Sequence, residues 1–126
     1  TSVSGAHGVA FDSDGYIYIS AYNIGEVRKY NTSGSYTVFA SGLSAPAGLT
    51  FDADGNLYVA CDGTEDVYKI TPSGTKSVYV SGIITAADSE FDDAGNIYVT
   101  DYYASIIYKF DSSKTRTVFD TPANPI

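Results

Sequence analysis

The chain has 126 residues, 44% of them hydrophobic, with no apolar run long enough to span a bilayer; it reads as one folded domain rather than a disordered or membrane-spanning chain. A formal net charge of -8 argues against a nucleic acid or an anionic membrane as partner, because both require a basic face. Twelve Tyr and six Phe, with no Trp and no Met, predict an aromatic core of half-buried sheet, and the single Cys61 excludes an internal disulfide.

The chain opens at Thr1 without an initiator Met, which fits a processed or engineered product, and no signal peptide is evident. A first unit, residues 1–42, begins with Ala6-His7-Gly8-Val9 and runs into Phe11-Asp12-Ser13-Asp14-Gly15-Tyr16-Ile17-Tyr18-Ile19. The Asp and Gly residues of that string predict a tight turn, with Asp12 as its side-chain acceptor, between two strands. The loop Ala21-Tyr22-Asn23-Ile24-Gly25-Glu26 then leads to a third strand at 27–30 and a fourth at 36–39.

The second unit, residues 43–82, repeats the plan. Strands are predicted at 48–51 and 56–60 around the turn Asp52-Ala53-Asp54-Gly55, then at 67–70 and 76–80 around Thr71-Pro72-Ser73-Gly74. Its second loop, Asp62-Gly63-Thr64-Glu65-Asp66, is acidic. The third unit, residues 83–126, carries Asp88-Ser89-Glu90 before Phe91-Asp92-Asp93-Ala94-Gly95-Asn96-Ile97-Tyr98-Val99, then the loop Asp101-Tyr102-Tyr103-Ala104-Ser105 and strands at 106–110 and 116–119.

A fixed period of this length marks one supersecondary unit used repeatedly. Four antiparallel strands in each unit, with no helical periodicity, predict an all-β chain of three β-propeller blades within a single domain. Asp12, Asp52 and Asp92 are expected to accept turn hydrogen bonds, and Lys29, Lys69 and Lys109 to hold a solvated edge or pair with an acid. Closed propellers carry about four to eight blades, so three leave two apolar blade faces uncovered. The expectation is a homodimer closing a six-bladed ring head to tail, by face-to-face packing of complete blades.

The string Ala45-Pro46-Ala47-Gly48-Leu49-Thr50-Phe51-Asp52, followed by Asp54-Gly55-Asn56-Leu57-Tyr58-Val59-Ala60, resembles an NHL-type propeller repeat in its Pro-x-Gly start, Asp-x-x-Gly-Asn turn and aromatic second strand. The resemblance runs through nearly the whole chain. It implies the fold, commonly with six blades, but not one activity, since similar blades occur in scaffolds, ligand sensors, gluconolactonase-like and regucalcin-like metal hydrolases and streptogramin lyases. It also implies that ligands bind at one mouth of the central channel, between the loop leading into strand one and the loop joining strands two and three.

Candidate chemistry lies where the copies disagree: His7/Ala47/Ala87, Gly8/Gly48/Asp88, Val9/Leu49/Ser89 and Ala10/Thr50/Glu90. Carboxylates in a segment that is small and apolar in its sister copies need a cation, a donor or water. Asp88 and Glu90 are therefore candidate ligands for a hard cation, Ca²⁺ or Mg²⁺, with Asp62, Asp101 or Asn23 contributing; a hydrated channel wall is the alternative. The setting of His7 is similar to the Pro-His-Gly-Ile segment of streptogramin-lyase-like blades, which implies a catalytic base, although Ala6 replaces the Pro and a second copy would have to supply the second His. Leu57-Tyr58-Val59-Ala60-Cys61 is similar to a regucalcin-like strand, but the Glu-rich start of those hydrolases is absent, so their metal site does not carry over.

Tyr22, Asn23, Asp62, Asp101, Tyr102 and Tyr103 are candidate ligand-binding residues, set as they are in loops that put aromatics beside polar groups; turn capping accounts for the same composition. Two functions follow. One is a self-assembling binding or interaction module for a small molecule, glycan or peptide; the other is a metal-dependent channel-mouth enzyme, lactonase-like or lyase-like. The composition leans toward an extracellular bacterial protein. A fragment of a longer propeller or an engineered repeat assembly fits the three in-phase units too, and divergence at Asp88-Ser89-Glu90 speaks for a natural parent.

Overall fold

The computed structural model describes residues 3–120; Thr1, Ser2 and the predicted end of the third unit, residues 121–126, lie outside them. Among the described residues, three sheets of four antiparallel strands follow one another in chain order. The first holds β1 (Ala6–Phe11), β2 (Ile17–Ala21), β3 (Glu26–Tyr30) and β4 (Tyr36–Ala40). The second holds β5 (Pro46–Phe51), β6 (Leu57–Cys61), β7 (Asp66–Ile70) and β8 (Lys76–Ser81), and the third β9 (Ala86–Phe91), β10 (Ile97–Asp101), β11 (Ile106–Phe110) and β12 (Arg116–Asp120). The first strands β1, β5 and β9 lie side by side along the inner edge. The predicted strands are all present, with first strands that begin earlier than expected and a 3-10 turn, Asp62–Thr64, inside the middle acidic loop.

Each first turn is built on one carboxylate. Oδ1 of Asp52 accepts hydrogen bonds from the amides of Asp54 and Asn56, both at 2.9 Å, while Oδ2 accepts from Asn56 Nδ2 and the Tyr58 hydroxyl, also at 2.9 Å. Asp92 repeats all four bonds, and Asp12 the three that do not need an Asn. Gly15, Gly55 and Gly95 complete these turns at φ 87, 84 and 87, where a β-carbon would be strained. Burial pushes the Asp52 carboxyl upward, but the bonds from Asn56, Tyr58 and Asp54 outweigh it and hold the group below its ordinary value. Asp12 is held down by the same balance, with a last contribution from Lys29; at Asp92 the Asn96 bonds dominate outright.

The tyrosine that closes each turn also joins the sheets. Tyr18 meets Phe39 of its own sheet edge-on at 5.1 Å and Phe51 of the next at 4.9 Å; Tyr58 meets Tyr79 at 4.9 Å and Phe91 at 4.7 Å. Such T-shaped pairs add about 0.5–1.5 kcal/mol each beyond area burial. Beside them lie two apolar clusters, one between each pair of successive sheets. Their deepest side chains are aliphatic, Leu57, Ile70, Ile83, Ile97, Val27, Val59, Val67 and Val99. The expected aromatic core is present but shared: Tyr18, Tyr58 and Phe110 are buried members of these clusters, alongside the aliphatic side chains that are buried most completely.

The lysine expectation holds in part: the Lys29 charge acts on an acid, Asp12, but none of the three lysines is on an edge strand. Lys29, Lys69 and Lys109 sit on β3, β7 and β11, which are interior strands of their sheets, and the outer edges belong to β4, β8 and β12. Lys29 Nζ lies 4.2 Å from the Tyr16 ring centre, and Lys109 Nζ lies 5.9 Å from that of Tyr98. These are cation–π contacts, over the exposed Tyr16 ring and the half-buried Tyr98 ring.

Removing the Asp52 acceptor leaves four donors without a partner; thermal or urea unfolding of Asp52→Ala should show a loss of about 2–3 kcal/mol at neutral pH. Because the folded-state pKa values of Asp12, Asp52 and Asp92 are lowered, their contribution is complete above the unfolded-state value of about 3.9 and is lost as pH falls through the folded values. The melting temperature should therefore drop below about pH 4, and by less in Asp52→Asn than in the parent chain. Cys61 is fully buried and desolvation pushes its thiol up to about 12. A disulfide reagent at pH 8 should consequently label it only at the rate of unfolding, and rapid labelling of the folded chain would contradict this packing.

Candidate functional site

The inner strands carry a one-residue register shift where the copies diverge: between Ala6 and Val9 on β1 and between Pro46 and Leu49 on β5, with a matching irregularity opposite Thr100 and Asp101 on β9. A bulge at this point re-aims the neighbouring side chain. It brings His7, Ala47 and Ala87 to one end of the inner edge, beside the loops that follow β2, β6 and β10. There they line a cavity of about 300 Å³ with Tyr22, Asp62, Thr85, Ala86, Tyr102 and Tyr103. Small apolar side chains, Ala47, Ala86 and Ala87, and the rings of His7, Tyr22, Tyr102 and Tyr103 make up most of its lining.

Within the cavity the Tyr22 hydroxyl donates to Asp62 Oδ2 at 2.6 Å, a bond that crosses from the first sheet's loop to the second's. That bond, followed by desolvation, raises the Tyr22 pKa. The His7 ring stacks on Tyr22, with centroids 5.8 Å apart and planes inclined by 24°. Tyr102 and Tyr103 meet edge to face at 5.8 Å and are 74% and 80% exposed, so they stand over the opening.

Five of the sequence-derived candidates, His7, Tyr22, Asp62, Tyr102 and Tyr103, thus surround one space. Asn23 stands apart, donating from Nδ2 to Ser4 Oγ at 3.3 Å. Asp101 is not presented to a ligand, contrary to expectation: it is 3% exposed, accepts from Thr85 Oγ1 at 2.6 Å and from the Ala104 amide at 3.2 Å, and so caps its own loop. Thr85 escaped the sequence reading. Its hydroxyl also accepts the Tyr103 amide at 2.8 Å and so fixes that residue. Its counterparts are Ala45 and Gly5, and that mismatch was the available signal.

Asp88 and Glu90 line a second groove further along the inner edge, which shares His7 with the first. Asp88 Oδ1 accepts the Ser89 amide at 2.9 Å; Glu90 Oε1 accepts the Thr50 hydroxyl at 2.6 Å and the Phe91 amide at 3.2 Å. Among the described residues no three His, Cys, Asp or Glu side chains converge as a metal-binding group. Ser89, between them in sequence, faces away from this groove, and its Oγ is buried without a hydrogen-bond partner among the described residues.

Gly8 and Gly48 explain why the inner strands can approach so closely. A β-carbon at Gly8 would strike the Ala47 carbonyl oxygen, and one at Gly48 would strike Asp88. The Ser20 hydroxyl seals the first of these contacts, accepting from the Gly8 amide at 2.7 Å and donating to the Ala47 carbonyl at 2.6 Å.

No protein-family model matches the chain, and neither does any curated protein. Among solved structures, a streptogramin B lyase superimposes with a TM-score of 0.82 and 18% identity, covering 94% of this chain and 41% of its own. A gluconolactonase from Xanthomonas campestris gives 0.82 and 14% over 92% and 47%, and a chain of a nidogen/laminin complex gives 0.82 and 18% over 95% and 49%. The chain spans a little under half the length of these structures. At such identities the likeness shows the fold alone, and with three successive four-stranded sheets it makes this chain a partial β-propeller.

Proposed function

We propose that the chain is half of a closed six-bladed propeller, completed by a second copy packed head to tail, and that the ring is a binding module whose ligand seats in the tyrosine-lined cavity at the channel mouth. The observation that carries the assembly is an aromatic joint split between the two ends of the chain. Tyr98 has its own-sheet partner Phe119, edge-on at 5.1 Å, but among the described residues lacks the ring that Phe51 and Phe91 supply to Tyr18 and Tyr58. Phe11 is the counterpart of those rings one repeat earlier, and it is 63% exposed. Ile17 and Ile19 are only half-buried, whereas their counterparts Leu57, Ile97, Val59 and Val99 are fully buried. Each end thus carries one half of the contact made twice inside the chain.

Asp88 gives that junction its own geometry. Where Gly8 and Gly48 allow inner strands to touch, a side chain at 88 keeps the incoming β1 further off, so the joint closes at its aromatic rim and stays wider at the axis. Two such junctions related by a two-fold axis leave an elongated channel. Binding is favoured over turnover by the state of the polar groups: Glu90 and Asp88 already accept hydrogen bonds from within the chain, and His7 is stacked against Tyr22. The neighbouring structures include enzymes and an interaction partner on the same fold, so the cavity rather than the fold has to carry the reading.

Sedimentation equilibrium tests the assembly. A dimer is expected at micromolar concentration, and Phe11→Ser, at a position exposed in the single chain, should convert it to a folded monomer. A parent chain that stays monomeric would overturn the ring, as would a Phe11→Ser variant that dimerises as before.

A further inference from the structure

Charge placement identifies the class of ligand for the mouth cavity. All seven basic residues, from Arg28 to Arg116, lie on third or fourth strands or on the turn between them, toward the outer edge of each sheet. None lines the cavity, and none lines the groove beside it that holds Asp88 and Glu90. The inner edge and mouth therefore carry uncompensated negative charge, which draws cations inward.

Two of the cavity's hydroxyls are engaged. Thr85 Oγ1 donates to Asp101 and accepts from Tyr103, and the Tyr22 hydroxyl is donated to Asp62. The Tyr102 and Tyr103 hydroxyls, the His7 ring nitrogens and Asp62 Oδ1 make no hydrogen bond among the described residues, so charge and ring faces, rather than a shortage of polar partners, separate a cation from a polyhydroxylated ligand here. Rings from Tyr22, Tyr102 and Tyr103 beside small apolar alanines, with one carboxylate, match a cation whose charge is clothed in methyl groups: such a group needs no directed hydrogen bond, is attracted to ring faces and gives up little hydration.

Resting on the binding-module reading, we infer that the mouth cavity binds a quaternary ammonium group, seated among Tyr22, Tyr102 and Tyr103 against the Asp62 carboxylate. Asp62 supplies the counter-charge and, through its bond from Tyr22, holds that ring in place. The two tyrosines over the opening close around the methyl groups. One ligand per chain is expected, because all these residues belong to a single chain.

The test is calorimetric titration with choline and with its neutral isostere 3,3-dimethylbutan-1-ol, which differ in charge but hardly in shape. Choline should bind about tenfold more tightly than the alcohol. Asp62→Asn and Tyr102→Ala should each weaken choline about fivefold, while the melting temperature and sedimentation stay those of the parent. Equal affinity for the two probes, or no choline binding at millimolar concentration, overturns the inference. If cellobiose binds instead and Tyr102→Ala abolishes it, the module reading stands and the cation inference falls. Choline binding to a chain that proves monomeric would sink the ring and leave this site in place.

Discussion

The structure depends on one hydrogen bond repeated three times, from a tyrosine hydroxyl to the Asp that opens the turn before it. Tyr18 reaches Asp12, Tyr58 reaches Asp52 and Tyr98 reaches Asp92, six residues apart in each case. The carboxylate is already committed to the turn amides, so the bond fixes where the tyrosine ring lies. That ring is in turn the centre of the joint between sheets. Local turn geometry and inter-sheet spacing are thereby set by the same two side chains, and the packing repeats with the period of the turns. The unmatched Tyr98 and Phe11 follow from the same rule applied at the ends of the chain.

The parts of this architecture that were legible in the sequence are those governed by local chemistry. Asp and Gly at fixed offsets encode turns wherever they fall, and Asp12, Asp52 and Asp92 do what those offsets imply. For Lys29 the acid was legible and the ring was not: its charge acts on Asp12, but a lysine at a solvated edge and a lysine on an interior strand lying over Tyr16 have the same sequence signature. Asp101 was misread for a related reason. An acidic residue at the start of an aromatic loop looks available, and only the Thr85 hydroxyl at 2.6 Å reveals that it caps the loop from inside. The apolar lining of the cavity was the least legible element, since Ala47, Ala86 and Ala87 carry no chemistry and matter only for the space they leave.

The disagreement among copies has a clear spatial order. Turn and joint positions hold their residue types through all three units, whereas position seven of the unit reads His7, Ala47 and Ala87, and the second loop position reads Tyr22, Asp62 and Tyr102. The bulge on the inner strand brings both sets to the same mouth. A repeat fold makes three equivalent places there, and substituting each differently turns a symmetric rim into an asymmetric pocket without disturbing the sheets. The Tyr22–Asp62 bond is the product of that asymmetry, since it joins unlike residues at the same position of adjacent units.

The same reasoning bears on Asp88. Contact with the neighbouring strand excludes any side chain at Gly8 or Gly48, and the position is released only in the third unit, whose inner strand has no further strand against it among the described residues. The carboxylate's tolerance thus reports the absence of an internal neighbour, whatever chemistry it serves. Thr100 agrees with this, standing one repeat pair after Ser20, whose hydroxyl bridges to the next sheet at Ala47. The Thr100 hydroxyl accepts from the Asp88 amide at 3.1 Å, as Ser20 does from Gly8, but with no such carbonyl beyond it among the described residues it donates back to the Asp88 carbonyl of its own sheet at 3.4 Å. The third sheet's inner strand thus meets the second sheet on one side, through the Thr50 hydroxyl on Glu90, while the Thr100 hydroxyl, whose counterpart Ser20 bridges to a further sheet, is satisfied within its own.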